Sequence, residues 1–161
     1  MATRSALLVA LSILSLSCNS KTPTEPAVPS AAAELRATPT SVVVHGVRLT
    51  LRTSLWRDFM PISPPDGKPL IVLVRVEGAD GSPVPAVIEA TTISVVFSDS
   101  LWTAAPKEEQ SRADVAPAYE VIARDGPKWG PGVNVDVVVR LTDGTRAWRL
   151  RAPNQPIRGT Y

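Results

Sequence analysis

Residues 133–152 read Val133-Asn-Val-Asp-Val-Val-Val-Arg-Leu-Thr-Asp-Gly-Thr-Arg-Ala-Trp-Arg-Leu-Arg-Ala152, and this stretch decides the fold. Apolar residues occupy every second position from Val133 to Leu141. This spacing predicts a β-strand with one buried face, because side chains alternate along a strand. Asp143-Gly144 is a dipeptide typical of a two-residue hairpin loop. The stretch therefore predicts two antiparallel strands.

A two-residue loop sets the register of this hairpin, with Thr142 facing Thr145. The inner face would then pair Val139 with Trp148, Val137 with Leu150 and Val135 with Ala152. The outer face would pair Arg140 with Ala147, Val138 with Arg149 and Asp136 with Arg151. Both strands place their apolar residues on one face in this register, so we expect Val137 and Trp148 to lie in the core.

Most of the chain beyond residue 34 repeats the period of two. The alternating segments 47–55, 92–97 and 119–123 predict strands. Residues 70–76 form a near-continuous apolar run, which predicts a central strand covered on both faces at its start. Turn signals such as Pro64-Pro65-Asp66-Gly67 separate them, and no long segment has a helical period. The sequence therefore predicts an all-β fold, an antiparallel sandwich of about seven or eight strands.

This architecture resembles immunoglobulin-like and fibronectin-type-III-like domains. The resemblance depends on strand number, turn spacing and Tyr119-Glu120-Val121, which is similar to the Tyr-x-Cys of the tyrosine corner with valine in place of cysteine. It implies an immunoglobulin-like sandwich over residues 34–161. As a likeness of fold it implies no activity.

Composition narrows the classes of function. The chain has 17 Lys and Arg against 15 Asp and Glu, so it lacks the strong positive charge expected for nucleic-acid binding. Cys18 and His45 are the only residues of their types, which argues against disulfides, metal sites and a Ser-His triad. We expect His45 to lie in a surface turn, and Glu108-Glu109 to be solvated rather than catalytic. No enzyme activity, metal or cofactor is expected.

Residues 1–17 have the layout of a secretory signal peptide, with Arg4 followed by an apolar run that ends near Leu16. The run is shorter than the ~20 residues that cross a bilayer. Cys18 follows directly, and this arrangement resembles a bacterial lipoprotein signal. The resemblance implies cleavage before Cys18, fatty acylation of its thiol and a membrane anchor, with Asn19 favouring the outer membrane. Ordinary secretion with an unmodified Cys18 is the alternative.

Residues 18–33 contain three prolines among small and polar residues, a composition typical of an extended tether. The predicted organisation is therefore a signal peptide at 1–17, a lipidated tether at 18–33 and one sandwich domain at 34–161.

The loop 124–132 contains the first candidate binding residue, Trp129, between Gly/Pro pairs and beside Arg124 and Lys128. A stiff loop that exposes an indole suits a sugar face or an apolar anchor of a partner. The alternative is that Trp129 folds back and caps the open end of the sandwich.

The outer face of the hairpin contains the second candidate, formed by Arg140, Arg149 and Arg151. These residues suit phosphate or carboxylate groups of envelope polymers, or are ordinary solvated strand arginines. The third candidate is Trp56, at the end of its strand on the polar side. It either covers that face or joins Trp129 in an exposed patch.

These features favour a non-enzymatic lipoprotein of the bacterial cell envelope. It would act as a binding or assembly module for an envelope protein or polysaccharide. One alternative is a secreted accessory domain that binds carbohydrate through Trp129 and Trp56. Another is an inhibitor that presents its proline-stiffened loop to an extracellular protease.

Overall fold

The computed structural model describes residues 29–109 and 116–161. Within them lie one short helix and eight strands. The elements are α1 (Ala31–Arg36), β1 (Ser41–Val44), β2 (Val47–Asp58), β3 (Leu70–Gly78), β4 (Glu89–Phe97), β5 (Ser100–Ala104), β6 (Ala118–Gly126), β7 (Asn134–Thr142) and β8 (Ala147–Thr160). The predicted all-β class is confirmed.

The strands form one continuous path in the order β5-β4-β7-β8-β2-β3-β6, with β1 attached to β2. This path curls into a half-barrel around a core to which both halves contribute. One half of the sheet contains β3 and the other half contains β7. Each of these strands supplies alternate residues to the core. The core positions on these two strands are Leu70, Val72, Val74 and Val76 on β3, and Val135, Val137, Val139 and Leu141 on β7.

The strands are mixed rather than strictly antiparallel, which corrects the sequence prediction. The first part of β8 is antiparallel to β7, whereas Ile157–Thr160 run parallel to Leu55–Asp58 of β2. Between the two parts, Pro153 and Pro156 provide no N–H for a ladder, and Asn154 has a left-handed φ of 55°. This irregular segment lets β8 leave one half of the sheet and join the other.

The β7–β8 hairpin has the predicted faces but not the predicted register. Thr142 pairs with Ala147, and Val139 pairs with Leu150, so the loop contains residues 143–146. Side chains favour this wider loop, because the Asp143 carboxylate accepts hydrogen bonds from the N–H groups of Thr145 and Arg146 at 3.0 and 2.7 Å. A shift of two residues keeps every side chain on its face.

The inner face of the hairpin is buried at the valines that the sequence indicated, including Val137. Trp148 is half-buried at the edge of the core rather than inside it. Its ring lies near Arg146, whose Cζ is 5.8 Å from the ring centroid, and near His45, 6.4 Å between centroids.

The N-terminal segment crosses the outer face of β4, β7 and β8. Helix α1 contacts β4, β5 and β8, and Ala32 is buried. Val96 and Val138 are buried but lie outside the main core, as expected for outer-face residues that this segment covers. The domain boundary predicted between residues 33 and 34 falls inside α1. Cys18, the leader at 1–17 and the tether as far as residue 28 lie outside the described residues.

Tyr119 is buried, and its hydroxyl oxygen accepts a hydrogen bond from the Ala90 N–H at 3.2 Å. In the tyrosine corner this hydroxyl bonds to the backbone only a few residues upstream. The Ala90 contact instead spans 29 residues of chain and joins β6 to the start of β4. Tyr119 therefore ties the two halves of the sheet together.

Candidate functional site

A buried arginine organises the loop that carries Trp129. Arg57, on β2, is 3% exposed. Its guanidinium donates hydrogen bonds to the carbonyl oxygens of Lys128 and Gly130 at 3.0 and 2.6 Å. It also donates to the carbonyl oxygens of Lys68, at 2.9 Å, and Asp66. One side chain thus fixes the 124–132 loop and the turn before β3 to the end of β2.

Trp129 in this loop is half-buried and packs against the core. Its ring lies 5.6 Å from that of Phe97, centroid to centroid. This position favours the capping alternative over an indole displayed to a partner.

The two cations that flank Trp129 form ion pairs. Lys128 Nζ lies 2.6 Å from Asp66 Oδ2, and Arg124 Nη2 lies 2.6 Å from Glu109 Oε1. The hydrogen bond from Lys128 lowers the pKa of Asp66 below its usual value. Both cations therefore have a carboxylate partner within the chain.

Trp56 lies on the opposite side of β2 from Arg57 and the loop. Its neighbours Leu55 and Arg57 are buried, whereas Trp56 is half-buried and points outward, as the sequence alternation predicts. The strand therefore separates Trp56 from Trp129, and the two indoles do not form one patch.

A cleft opens beside Trp56 where β8 joins β2. It has a volume of about 350 Å³, and its walls include Trp56, Arg158 and Thr160. Trp56 and Arg158 are direct partners in the parallel ladder. The Thr53 hydroxyl donates a hydrogen bond to Gln155 Oε1 at 2.7 Å across the seam. Arg158 was not predicted from the sequence, because only the parallel pairing brings it beside Trp56.

The three arginines on the outer face of the hairpin have different environments. Arg140 and Arg149 are exposed and directly opposite each other. Neither forms an ion pair with any residue in the described ranges 29–109 and 116–161. Arg151, in contrast, lies 3.7 Å from the Asp136 carboxylate and donates from Nε to the Thr38 carbonyl oxygen at 3.2 Å. Arg140 and Arg149 therefore lie together as predicted, whereas Arg151 binds the N-terminal segment.

An open groove of about 520 Å³ adjoins the Arg140–Arg149 pair. One wall is the segment that follows α1, because the Arg151 N–H donates to the Pro39 carbonyl oxygen at 2.9 Å and holds that segment along β8. The lining residues are Thr38, Pro39, Val42, Arg140, Ala147, Trp148 and Arg149. Thr38, Pro39 and Val42 were not predicted from the sequence, because no local pattern indicates that they lie near the hairpin.

His45 occupies the β1–β2 turn with a φ of 48°, and its Nε2 lies 3.1 Å from Asp143 Oδ2. This contact joins the β1–β2 turn to the β7–β8 turn. Among the residues that the structure describes, no three His, Cys, Asp or Glu side chains are grouped to hold a metal ion. Helix α1, which is the one helix in the same residues, is not long and apolar enough to cross a membrane.

No protein-family model, no curated protein and no solved structure matches this chain. The function is therefore inferred from the chemistry of the two open surfaces and from the N-terminal segment.

Proposed function

We propose that this protein is a non-enzymatic lipoprotein of the bacterial cell envelope that acts as a binding or assembly module. In this proposal the signal peptide at 1–17 is removed and Cys18 carries the lipid. The sandwich-like domain is then held at the membrane, on the outer membrane if Asn19 acts as the sorting residue.

The observation that carries the proposal is the way the chain enters the domain. Arg36 at the end of α1 binds the Asp136 carboxylate at 3.2 Å and the Ser98 carbonyl oxygen at 2.5 Å. Arg151 then holds Thr38 and Pro39. Because the chain is fixed to one face from α1 onward, the residues between Cys18 and α1 alone set the distance between an anchor and the domain.

The two open surfaces support the binding part of the proposal. The Trp56–Arg158 cleft combines an indole with an arginine that has no ion pair among the described residues, and the other groove contains Arg140 and Arg149. Exposed arginines beside aromatic and apolar groups are typical of recognition surfaces. An envelope protein or polysaccharide is the expected partner class.

The anchor is tested in bacteria that express the full chain and are fed a clickable fatty acid. We expect the wild-type protein to take up the label and to sediment with membranes, and Cys18→Ser to lose the label. Ser20→Ala is the matched control, because it changes a neighbouring residue and should keep both properties. A wild-type protein that is exported without the label would contradict the lipoprotein assignment.

A second candidate, a carbohydrate-binding domain, is favoured by the position of Trp56 in its cleft. We expect Trp56→Ala to weaken retention of the full chain on immobilised envelope polysaccharide, since an aromatic platform is lost. Trp129→Ala, once shown to remain folded, serves as the comparison, and equal losses for both variants would count against a site at Trp56.

A further inference from the structure

We propose that the groove between the Arg140–Arg149 pair and residues 38–42 binds phosphate groups of anionic lipid headgroups. The lipid belongs to the membrane that holds the domain, so the inference rests on the proposed anchor. It adds a second, electrostatic contact and a fixed orientation of the domain on that membrane.

The pairing of the two arginines is the first argument. Side chains directly opposite each other in an antiparallel ladder have Cβ atoms about 5 Å apart, and like charges there destabilise the sheet. Arg140 and Arg149 keep this arrangement with no carboxylate partner in the described part of the chain. Two guanidinium groups at this spacing can both donate to the oxygens of one phosphate.

In the described part of the chain, the neighbouring carboxylates form no ion pair with Arg140 or Arg149, so the two arginines are available to bind an anion. Asp136, on the same face, already binds Arg36 and Arg151. Glu89 pairs with Thr142 in the ladder next to Arg140, and forms no ion pair with either arginine of the groove. The other arginines that form ion pairs in the described chain are Arg52, Arg75, Arg124 and Arg146. The described residues that line the groove include Arg140 and Arg149 but no aspartate or glutamate, so the groove has a net positive charge.

The shape of the groove is the second argument. It is open to solvent, and Pro39, Val42 and the half-buried Trp148 lie beside the two arginines. A wall of apolar groups next to cations suits the boundary between headgroups and acyl chains, where indoles and arginines both concentrate.

The position of the groove on the molecule is the third argument. Thr38 and Pro39 directly follow α1 and form one wall of the groove, so the N-terminal segment and the groove share one face. The chain from Cys18 to Pro29 spans at most about 40 Å when fully extended. A lipid on Cys18 therefore keeps this face within reach of the bilayer surface, which favours headgroups over a distant polymer.

The test measures the reactivity of single arginines in the full lipidated chain. The protein is reconstituted into vesicles of phosphatidylcholine alone, or of phosphatidylcholine and phosphatidylglycerol in equal amounts. An arginine-selective dicarbonyl reagent is added, and modification of each arginine is followed by mass spectrometry. Arg158 is the internal control, because it is exposed, has no ion pair in the described residues and lies in the other cleft.

We expect the anionic vesicles to slow modification of Arg140 and Arg149 by about fivefold, the effect expected for a basic residue at an anionic surface. Arg158 should react equally in both vesicles, and added salt should remove the protection. Equal reactivity of Arg140 in both vesicles, or equal protection of Arg158, would overturn the proposal.

A third sample separates the possible sources of phosphate. Inorganic phosphate is added to the phosphatidylcholine vesicles, and protection by it without protection by phosphatidylglycerol would overturn the lipid assignment. Flotation of the protein with phosphatidylcholine vesicles reports the lipid anchor independently. One experiment therefore tests the lipid anchor and the binding of lipid phosphate by the groove independently of each other.

Discussion

Asp143 holds the β7–β8 turn through its carboxylate. The hydrogen bond from the Arg146 N–H is the largest of the interactions that lower the pKa of Asp143 well below the usual 3.8. The Thr145 hydroxyl and N–H, and the His45 ring, also contact the carboxylate and lower this pKa further. The ionised side chain therefore stabilises the folded state more than the unfolded one.

This lowered pKa predicts how stability responds to acid. The contribution of Asp143 is complete above the pKa of the unfolded chain, near 4, and is lost as the pH falls towards the folded pKa. Asp143→Asn keeps an oxygen acceptor for the turn but removes the charge, so we expect a shallower loss of stability below pH 4. Urea denaturation across the acidic range measures this slope.

Asp99→Asn is the matched control, because Asp99 is exposed and its carboxylate has no hydrogen bond or ion pair within residues 29–109 and 116–161. It should keep the wild-type slope. A slope for Asp143→Asn that equals that of the wild type would show that the turn contacts do not favour the ionised form.

The β7–β8 hairpin has two faces in different environments. Val137 is fully buried in the core, whereas Arg149 is exposed on the outer face. Burial also differs along the outer face, because Val138 is buried whereas Arg140 and Arg149 are exposed. Substitutions on the two faces should therefore differ greatly in cost.

We expect Val137→Asp to lower the free energy of unfolding by about 4 kcal/mol or more, because it buries an unpaired charge. That loss is comparable with the whole stability of an ordinary domain. Arg149→Ala should change stability by no more than about 0.5 kcal/mol, as exposed substitutions usually do. Thermal melts of both variants measure the difference, and similar shifts would mean that the hairpin faces are reversed.

Arg57 joins distant parts of the molecule. Its guanidinium links β2 to the turn before β3 and to the 124–132 loop, and its Cζ lies 5.0 Å from the Phe59 ring centroid. Phe59 in turn stacks on Tyr161 near the end of β8. The buried Arg57 guanidinium therefore joins the segments that meet at the end of the half-barrel near Trp129.

We expect Arg57→Leu to destabilise the protein by about 3 kcal/mol or more, because four part-buried carbonyl oxygens lose the donor that the buried guanidinium provides. Arg158→Leu, on the outward face of the adjacent strand, is the matched control and should have little effect. Denaturant unfolding measures both. A stability of Arg57→Leu within about 0.5 kcal/mol of the wild type would contradict the role assigned to Arg57.

The period of two predicted the strands and their faces. Val135, Val137, Val139 and Leu141 are buried as that pattern requires, and the all-β class follows from it. The apolar run at 70–76 predicted a strand covered on both faces at its start, but Ile71 and Leu73 are only half-buried. The predicted register of the hairpin was wrong, because side-chain hydrogen bonds of Asp143 favour a loop of four residues over two. The parallel β2–β8 pairing was not predictable either, since no local pattern shows which strand a proline-broken segment will join.

The candidate surfaces were predicted less well, for a related reason. Arg140 and Arg149 remain open, whereas Arg124, Lys128 and Arg151 bind partners far away in the chain. Charge type is visible in a sequence, but whether a cation is paired depends on which distant carboxylate or carbonyl the fold brings near it.

The sequence by itself therefore determined which side chains face inward, because alternation along a strand is a local property of the backbone. It also carries the lipoprotein-type signal at Cys18, which remains a prediction. Only the tertiary structure decided that Trp129 caps the core and that two arginines face each other beside residues 38–42. These outcomes depend on contacts between segments far apart in the chain, whose pairing is set by the packing of the whole domain.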